Sequence, residues 1–353
     1  MSNADLSRRT SAKIKINGID VTKDIKNHLM SVTFTDYEED KADDIQIKLH
    51  DRDGIFLLNW LNQILASSIK GKLIQAEFIR ENWEGNGGDK ILDCGAFELD
   101  EITTSGPPSI VTIKGTSMPY SATVRQTLKT KAWEKYTLSR IAQEIASKNG
   151  LACLYDSATD PYYKRKEQIK TSDIAFLSGL CKSAGVSLKI ANKIIVLFDQ
   201  SKYEAKPPKL TIQHGAKGGY ISYRLSTGSA NTSFAACEVK YNDPQTGKLI
   251  ETTVKTGDYK DGEKNQTLKI NASVRSKGEA ESLATQMLRL HNKFEKTGSF
   301  TFPGKPELHA GMTLMLEDWG FFEGKYISSR TQHQIISNSG YTSILDIRNV
   351  LKT

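Results

Sequence analysis

The sequence has no long hydrophobic run. Its longest wholly apolar stretch is Ile194 to Phe198, far below the ~18 residues that a membrane-spanning helix needs, so insertion into a membrane is not expected. Cysteine is scarce: Cys94, Cys153, Cys181 and Cys237 are the four present in 353 residues. They are scattered and never in C-x-x-C spacing, which excludes zinc ribbons and thioredoxin-like redox motifs and leaves reduced, structural thiols. The basic start MSNADLSRRTSAKIKING has no apolar segment behind it, so no secretory signal is read. A protein that stays in the cytoplasm, or leaves it by assembly or lysis, is expected.

The common signatures of catalysis are also missing. G-x-S-x-G, H-E-x-x-H and G-x-x-x-x-G-K-[ST] do not occur, and Ser67 to Lys70 spells S-x-x-K without the S-D-N that its chemistry needs. The six histidines fall in different elements; His309 and His333, on neighbouring strands, are the pair geometry would allow for a metal. Glu98 and Asp100 share a strand face as a glycosidase pair would, although acidic pairs are common on solvated faces. No enzyme, cofactor or metal is expected.

Lys and Arg number 48 against 41 Asp and Glu, a net charge of +7, but the excess is interspersed with acids. The densest basic segment, YYKRKEQIK from Tyr162 to Lys170, carries aromatics that could stack bases; lysines on a strand edge equally guard against edge pairing. No specific nucleic-acid partner is expected.

Alternation dominates what is present. From Ile14 to Gly115 nearly every segment alternates apolar and polar residues or is rich in β-branched ones, with turn signals between, among them Asn17-Gly18, a two-residue hairpin turn. One interruption, IFLLNWLNQILASSIK, repeats Leu57, Leu58, Leu61, Ile64 and Leu65 at helical spacing and predicts an amphipathic helix over one end of a sheet. Before it, DDIQIKLHDRDG sets an alternating strand against Asp51, Asp53 and Gly54. Those two carboxylates resemble the opening of a calcium loop, but Ile55, Leu57, Asn59 and Asn62 follow where further oxygen donors and a terminal Glu are needed. The stretch reads as a strand running into a turn.

Between Thr130 and Asp199 the period becomes helical. Thr137 caps a stripe of Leu138, Ile141, Ala142 and Ile145 that ends at Gly150, and a second stripe of Ile174, Leu177, Cys181 and Ala184 ends at Gly185. Each precedes an extended segment, as in a small α/β domain. SKYEAKPPKL then reads as a linker stiffened by Pro207-Pro208. More strands follow, interrupted by a helix that opens on the capping box Ser276 to Glu279 with a stripe of Ala280, Leu283, Ala284, Met287 and Phe294. The length fits two or three domains.

An internal repeat is visible. GKLIQAEF at Gly71, GAFEL at Gly95 and SIVTIKG at Ser109 match GMTLMLED at Gly311, GKYIS at Gly324 and SILDIRN at Ser343, in the same order. The segments INGIDVTKDIKNHLMSVTFTDYEEDKADDIQIKLHDRDG, GAFELDEITTSGPPSIVTIKGTS, TSDIAFLSGLCKSAGVSLKI and GYTSILDIRN resemble the phage late control gene D family, the tail hub proteins of contractile phages, over roughly residues 13–349. The hub domain of type VI secretion spike proteins is similar in plan.

The resemblance implies a mainly β fold with α/β content: a first, tube-facing β-barrel over 1–120, a small α/β domain over 121–205, and a second similar barrel over 206–353 with an inserted helix near 276–296. It implies a homotrimer that joins a sixfold tail tube protein to a threefold spike protein among other baseplate proteins, assembled in the bacterial host cytoplasm and located in the virion tail. Within it Asp51, Asp53 and Gly54 are a structural turn. Trp83, Gly85, Asn86 and Gly87, in the hairpin tip ENWEGNGGDK, are the candidate interface residues. A tail-associated cell-wall hydrolase or carbohydrate-binding module is the alternative.

Overall fold

The computed structural model describes residues 7–65, 68–83, 88–117, 127–215, 219–228, 233–242 and 247–351. The chain is mainly β, with mostly antiparallel pairing. Its first stretch comprises β1 (Arg9–Ile16), the two-residue β2 (Ile19–Asp20), β3 (Leu29–Tyr37), β4 (Asp44–His50), β5 (Leu73–Glu81), β6 (Asp89–Ser105) and β7 (Ile110–Thr116). Alternation decides which side chains are inside: Ile14 and Ile16, Ile45 and Ile47, Ile74 and Phe78, Val111 and Ile113 all point into one core. Each such side chain, fully buried, is worth about 1.5–3 kcal/mol relative to exposure. Asn17 and Gly18 both take positive φ in the β1–β2 hairpin. Gly115 has no room for a side chain, since a Cβ there would lie 2.9 Å from Phe97 Cβ and 3.1 Å from Ile74 Cδ1.

Helices α1 (Thr22–Ile25) and α2 (Leu61–Leu65) lie in this stretch, and a π-helical turn, Phe56–Trp60, runs into α2. The buried face here differs from the sequence expectation. Phe56, Trp60, Ile64 and Leu65 point inward, whereas Leu57 and Leu58 are exposed. The Asp51 cap fixes where the turn begins, and the aromatic rings, Phe56 edge-on to Trp60 at 5.1 Å and to His28 at 5.0 Å, fill the space.

Residues 129–198 form the α/β part: β8 (Lys129–Thr137), α3 (Leu138–Lys148), β9 (Ala152–Asp156), β10 (Tyr162–Thr171), α4 (Asp173–Ala184), β11 (Ser187–Ala191) and β12 (Ile194–Phe198). Thr137 and Ser172 cap the two helices through backbone amides of Arg140 and Ala175, and Gly185 closes α4 at φ 68°. Helix faces and the β11-β12-β9 sheet share one core around Leu138, Ile141, Leu177 and Leu197, while β8 and β10 pair as a separate ribbon. The segment read as a linker contains a short helix, α5 (Gln200–Glu204), whose Glu204 is buried.

The last part holds β13 (Leu210–Gln213), β14 (Ser222–Thr227), β15 (Ala236–Asn242), β16 (Leu249–Lys255), β17 (Thr267–Asn271), α6 (Lys277–Asn292), β18 (Lys296–Pro303), β19 (Thr313–Glu317), β20 (Gly324–Ile336) and β21 (Gly340–Asn349). The strands expected ahead of the inserted helix form a sheet of their own: among the described residues β15, β16 and β17 pair with one another and not with the main sheet. Their Cys237 and Val239 pack on Ala280, Leu283, Ala284 and Met287 of α6, because the helix stripe needs its own sheet to cover it. Phe294 lies beyond the helix end and is exposed.

Two separate barrels do not emerge from the hydrogen bonding. One sheet of 13 strands runs in the order β14-β18-β21-β20-β3-β4-β7-β6-β5-β1-β2, with β13 and β19 attached beside β20. Within it the same arrangement occurs twice. The first six-stranded unit has the spatial order β1-β5-β6-β7-β4-β3 and the second β13-β19-β20-β21-β18-β14. Numbered along each unit, both read first, fourth, fifth, sixth, third, second. Ile74 opposite Phe97 matches Leu314 opposite Tyr326, and a bulge interrupts β6 between Leu99 and Glu101 as one interrupts β20 between Ser328 and Arg330. The third sequence match is two residues out of register: Leu99 faces Gly115, whereas its counterpart Ser328 faces Ile347 and not Asn349. A shift of two keeps every side chain on its face, which is why the letters concealed it. The units differ at one edge, where β1–β5 is antiparallel and β13–β19 parallel.

Candidate interaction surfaces

The units meet where the second half of β20 pairs with β3, Gln332 opposite Thr35 and Gln334 opposite Thr33. The joint is held by side chains as well. Gln334 donates to Thr33 Oγ1 at 3.1 Å, Arg80 donates to Gly304 O at 2.7 Å, and Asp36 accepts from Ala310 N at 2.8 Å. Ile335 and Tyr341 of the second unit belong to the core of the first.

Beside the joint lies a buried charge cluster. Arg348, 0% exposed, donates from Nε to Glu38 Oε2 at 2.9 Å, from Nη2 to Glu38 Oε1 at 2.5 Å and from Nη1 to Glu204 Oε1 at 2.6 Å. Arg289 also reaches Glu204, and Lys293 reaches Glu39. Three acids and three bases thereby connect the end of β3, α5, α6 and β21. Burial pushes the Glu38 carboxyl up against the pull of Arg348. Sequence gave no signal of this cluster, because its members are far apart in the chain and each resembles an ordinary surface charge.

The residues singled out by sequence are dispersed. Asp51 is buried at the end of β4, and its two carboxylate oxygens accept from the amides of Phe56 and Leu57, each at 3.0 Å. Gly54 has φ +68°, and Asp53 is exposed. The tetrapeptide thus starts the helical turn, with both Asp51 oxygens turned to backbone amides. Trp83 donates Nε1 to Arg9 O at 3.2 Å and lies 5.0 Å from the Arg80 guanidinium; Gly85, Asn86 and Gly87 lie outside the described residues, as does Ser67.

His333 is buried, with Nδ1 2.7 Å from Tyr341 Oη and 3.1 Å from Ser343 Oγ, and Nε2 3.0 Å from Leu308 O. Burial lowers its pKa to about 4, so the ring is neutral near pH 7 and locks the core. His309 is exposed, its Nδ1 3.2 Å from the Glu307 carbonyl, whereas both ring nitrogens of His333 are engaged by core groups. Glu98 is buried and Asp100 sits in the β6 bulge. In the basic ribbon Arg165 pairs with Glu134 and Glu167, and Tyr163 packs in the α/β core. Lys166 lies over the Tyr163 ring at 5.3 Å, and Lys164, Lys166 and Lys170 are exposed along the ribbon.

The fold defined by this geometry is that of phage tail proteins. A tail protein of Neisseria meningitidis MC58 superposes with TM-score 0.67 at 10% identity, over 97% of each chain. An Escherichia coli component of the type VI secretion system superposes with TM-score 0.55 at 8% identity, over 97% of this chain and 77% of that one. No family model matches the chain. By sequence its relatives are hub proteins: the probable baseplate hub protein of Escherichia phage 186 is 24% identical over 98% of this chain and 94% of its own, and that of Escherichia phage P2 is 27% identical over 66% and 57%. The likeness to contractile-tail hubs read from the sequence therefore holds.

Proposed function

We propose that the chain is the structural hub of a contractile tail, a homotrimer that joins the sixfold tube protein to the threefold spike protein. The observation that carries this reading is the doubled six-stranded unit. We read the units as two copies of one barrel-type domain, so that three chains offer six equivalent β units to a sixfold partner. Because β3 pairs with β20, the units lie side by side; both, rather than the first alone, then face the tube. Closure requires heterologous contacts, the first unit of one chain against the second unit of the next. The α/β parts, the Trp83 hairpin and the exposed Leu57 and Leu58 are left for the spike and other baseplate proteins.

The chain acts through interfaces and catalyses nothing in this reading. The polar groups best placed for chemistry, His333 with Ser343 and the Arg348 cluster, are sealed in the core and out of reach of a cell-wall or glycan substrate. The protein is assembled in the host cytoplasm and resides in the virion tail. A gold-labelled tag on this chain, viewed by electron microscopy in isolated tails, should mark the tube–spike junction once per particle. Label along the tube, or peptidoglycan clearing by the purified protein, would overturn the proposal.

A further inference from the structure

A cleft of about 200 Å³ opens where the α/β part, the α5 segment and the second β unit meet. Its apolar wall is drawn from all three: Val196 and Phe198 of β12, Tyr203 of α5 and Met312 just before β19. Phe198 and Tyr203 stand edge to face at 5.0 Å, so one side of the wall is aromatic. The volume falls below the ~300–1,000 Å³ of sites for drug-sized ligands. It is room for one large side chain.

The charges around this wall leave one sign over. Glu38 is the single acid of the lining among the described residues, and both its oxygens accept from Arg348. Lys189 is likewise met by acids, at 2.7 Å from Asp36 and 3.6 Å from Asp43. Lys206, Lys209 and His309 remain, exposed on the rim, with Lys206 over the Tyr203 ring at 4.2 Å. The rim backbone is fixed. Lys209 N donates to Thr313 O at 2.9 Å and Thr313 Oγ1 donates to Pro207 O at 2.8 Å, so the stiff Pro207-Pro208 pair is pinned along the start of β19. A rim set in advance gives up little freedom when a ligand arrives.

We propose that the cleft receives one large aromatic side chain from an extended acidic segment of another protein, with the carboxylates flanking that residue set on Lys206 and Lys209. A ring suits the Phe198–Tyr203 wall, and the thioether of Met312 adapts to its edge. Acids beside the ring match the charge left over on the rim. Seated there, the segment touches the α/β part and the second β unit at once and fastens one to the other. The inference needs no particular oligomeric state and stands apart from the hub reading.

An end-blocked pentapeptide of glycine, aspartate, phenylalanine, aspartate and glycine, in that order, titrated calorimetrically into the full-length protein should bind saturably, once per chain. Lys206→Glu/Lys209→Glu reverses two exposed charges without touching a core and should weaken binding about tenfold or more. Lys206→Gln/Lys209→Gln should weaken it less, in the same direction. Alanine in place of the phenylalanine should also lose about tenfold, and lysines in place of the aspartates should abolish binding. With benzoylphenylalanine at the centre of the peptide, irradiation of the parent protein should place the label, read by mass spectrometry, within 196–203 or 309–313; this readout needs no variant.

Absence of saturable heat at millimolar peptide, equal affinity of the charge-reversed protein, or a label outside those two segments would overturn the proposal. Phenylacetate binding as tightly as the peptide would overturn the protein segment as occupant and leave a small organic anion in its place. None of these outcomes moves the chain from the tube–spike junction.

Discussion

Replacing Arg348 by Met keeps the length and apolar stem of the side chain and removes its charge. The guanidinium makes three charge-assisted hydrogen bonds, two to Glu38 and one to Glu204, at 2.5–2.9 Å and with no exposure to solvent. Its loss leaves Glu38 buried without its bidentate partner, while Glu204 keeps Arg289. Deleting one member of a buried ion pair costs about 3–5 kcal/mol, more than the net worth of the pair, because the remaining charge stays out of water. Urea denaturation followed by circular dichroism should show Arg348→Met less stable by that amount. Adding Glu38→Gln should recover about 0.5–3 kcal/mol, since the stranded charge is then gone. Acid should help the single variant: burial raises the folded-state pKa of Glu38 above its unfolded value, so the folded form binds the extra proton and stability rises as pH falls through that window. A single variant within ~0.5 kcal/mol of the parent, or strict additivity of the two changes, would refute the reasoning.

Three further outcomes are expected. The folded-state pKa of His333 lies at about 4 against an ordinary value of 6.5; its contribution is present above pH 6.5 and lost as pH falls through 4, about 3 kcal/mol in all, and a His333→Gln variant should lack that part of an acid denaturation profile. Gly115→Ala should destabilise the first β unit by about 1–3 kcal/mol through overpacking against Phe97 and Ile74, and an unchanged denaturation midpoint would place this stretch of β7 elsewhere. Asp51→Ala should cost about 0.5–2 kcal/mol by releasing the amides of Phe56 and Leu57, read as a lower thermal midpoint, with Trp60 fluorescence shifting red as the turn loosens.

Local chemistry was the legible part of the sequence. Thr137, Gly185 and Asn17-Gly18 act where letter patterns put them, because caps and tight turns are decided by a few adjacent residues. Ser276 accepts from Glu279 N as a capping box requires, although Glu279 returns its bond to Arg275 N, one residue early. The stripe Leu57-Leu58-Leu61 misled because the turn is π-helical and its phase follows Asp51, which apolar spacing does not register. The repeat was legible in two strands and slipped by two in the third, where alternation carries no absolute register. The joint between β3 and β20 and the cluster around Arg348 were illegible, since both depend on residues far apart in the chain that only the folded sheet brings together.

A closed ring of three chains presenting six equivalent β units can be seen by imaging the purified full-length protein by electron cryomicroscopy while measuring its molar mass by light scattering. Three times the chain mass is expected across the concentration series, with threefold averages in which six β units alternate between first and second copies. A stable monomer or dimer at all concentrations, or a trimer whose β units do not alternate in one ring, would contradict it.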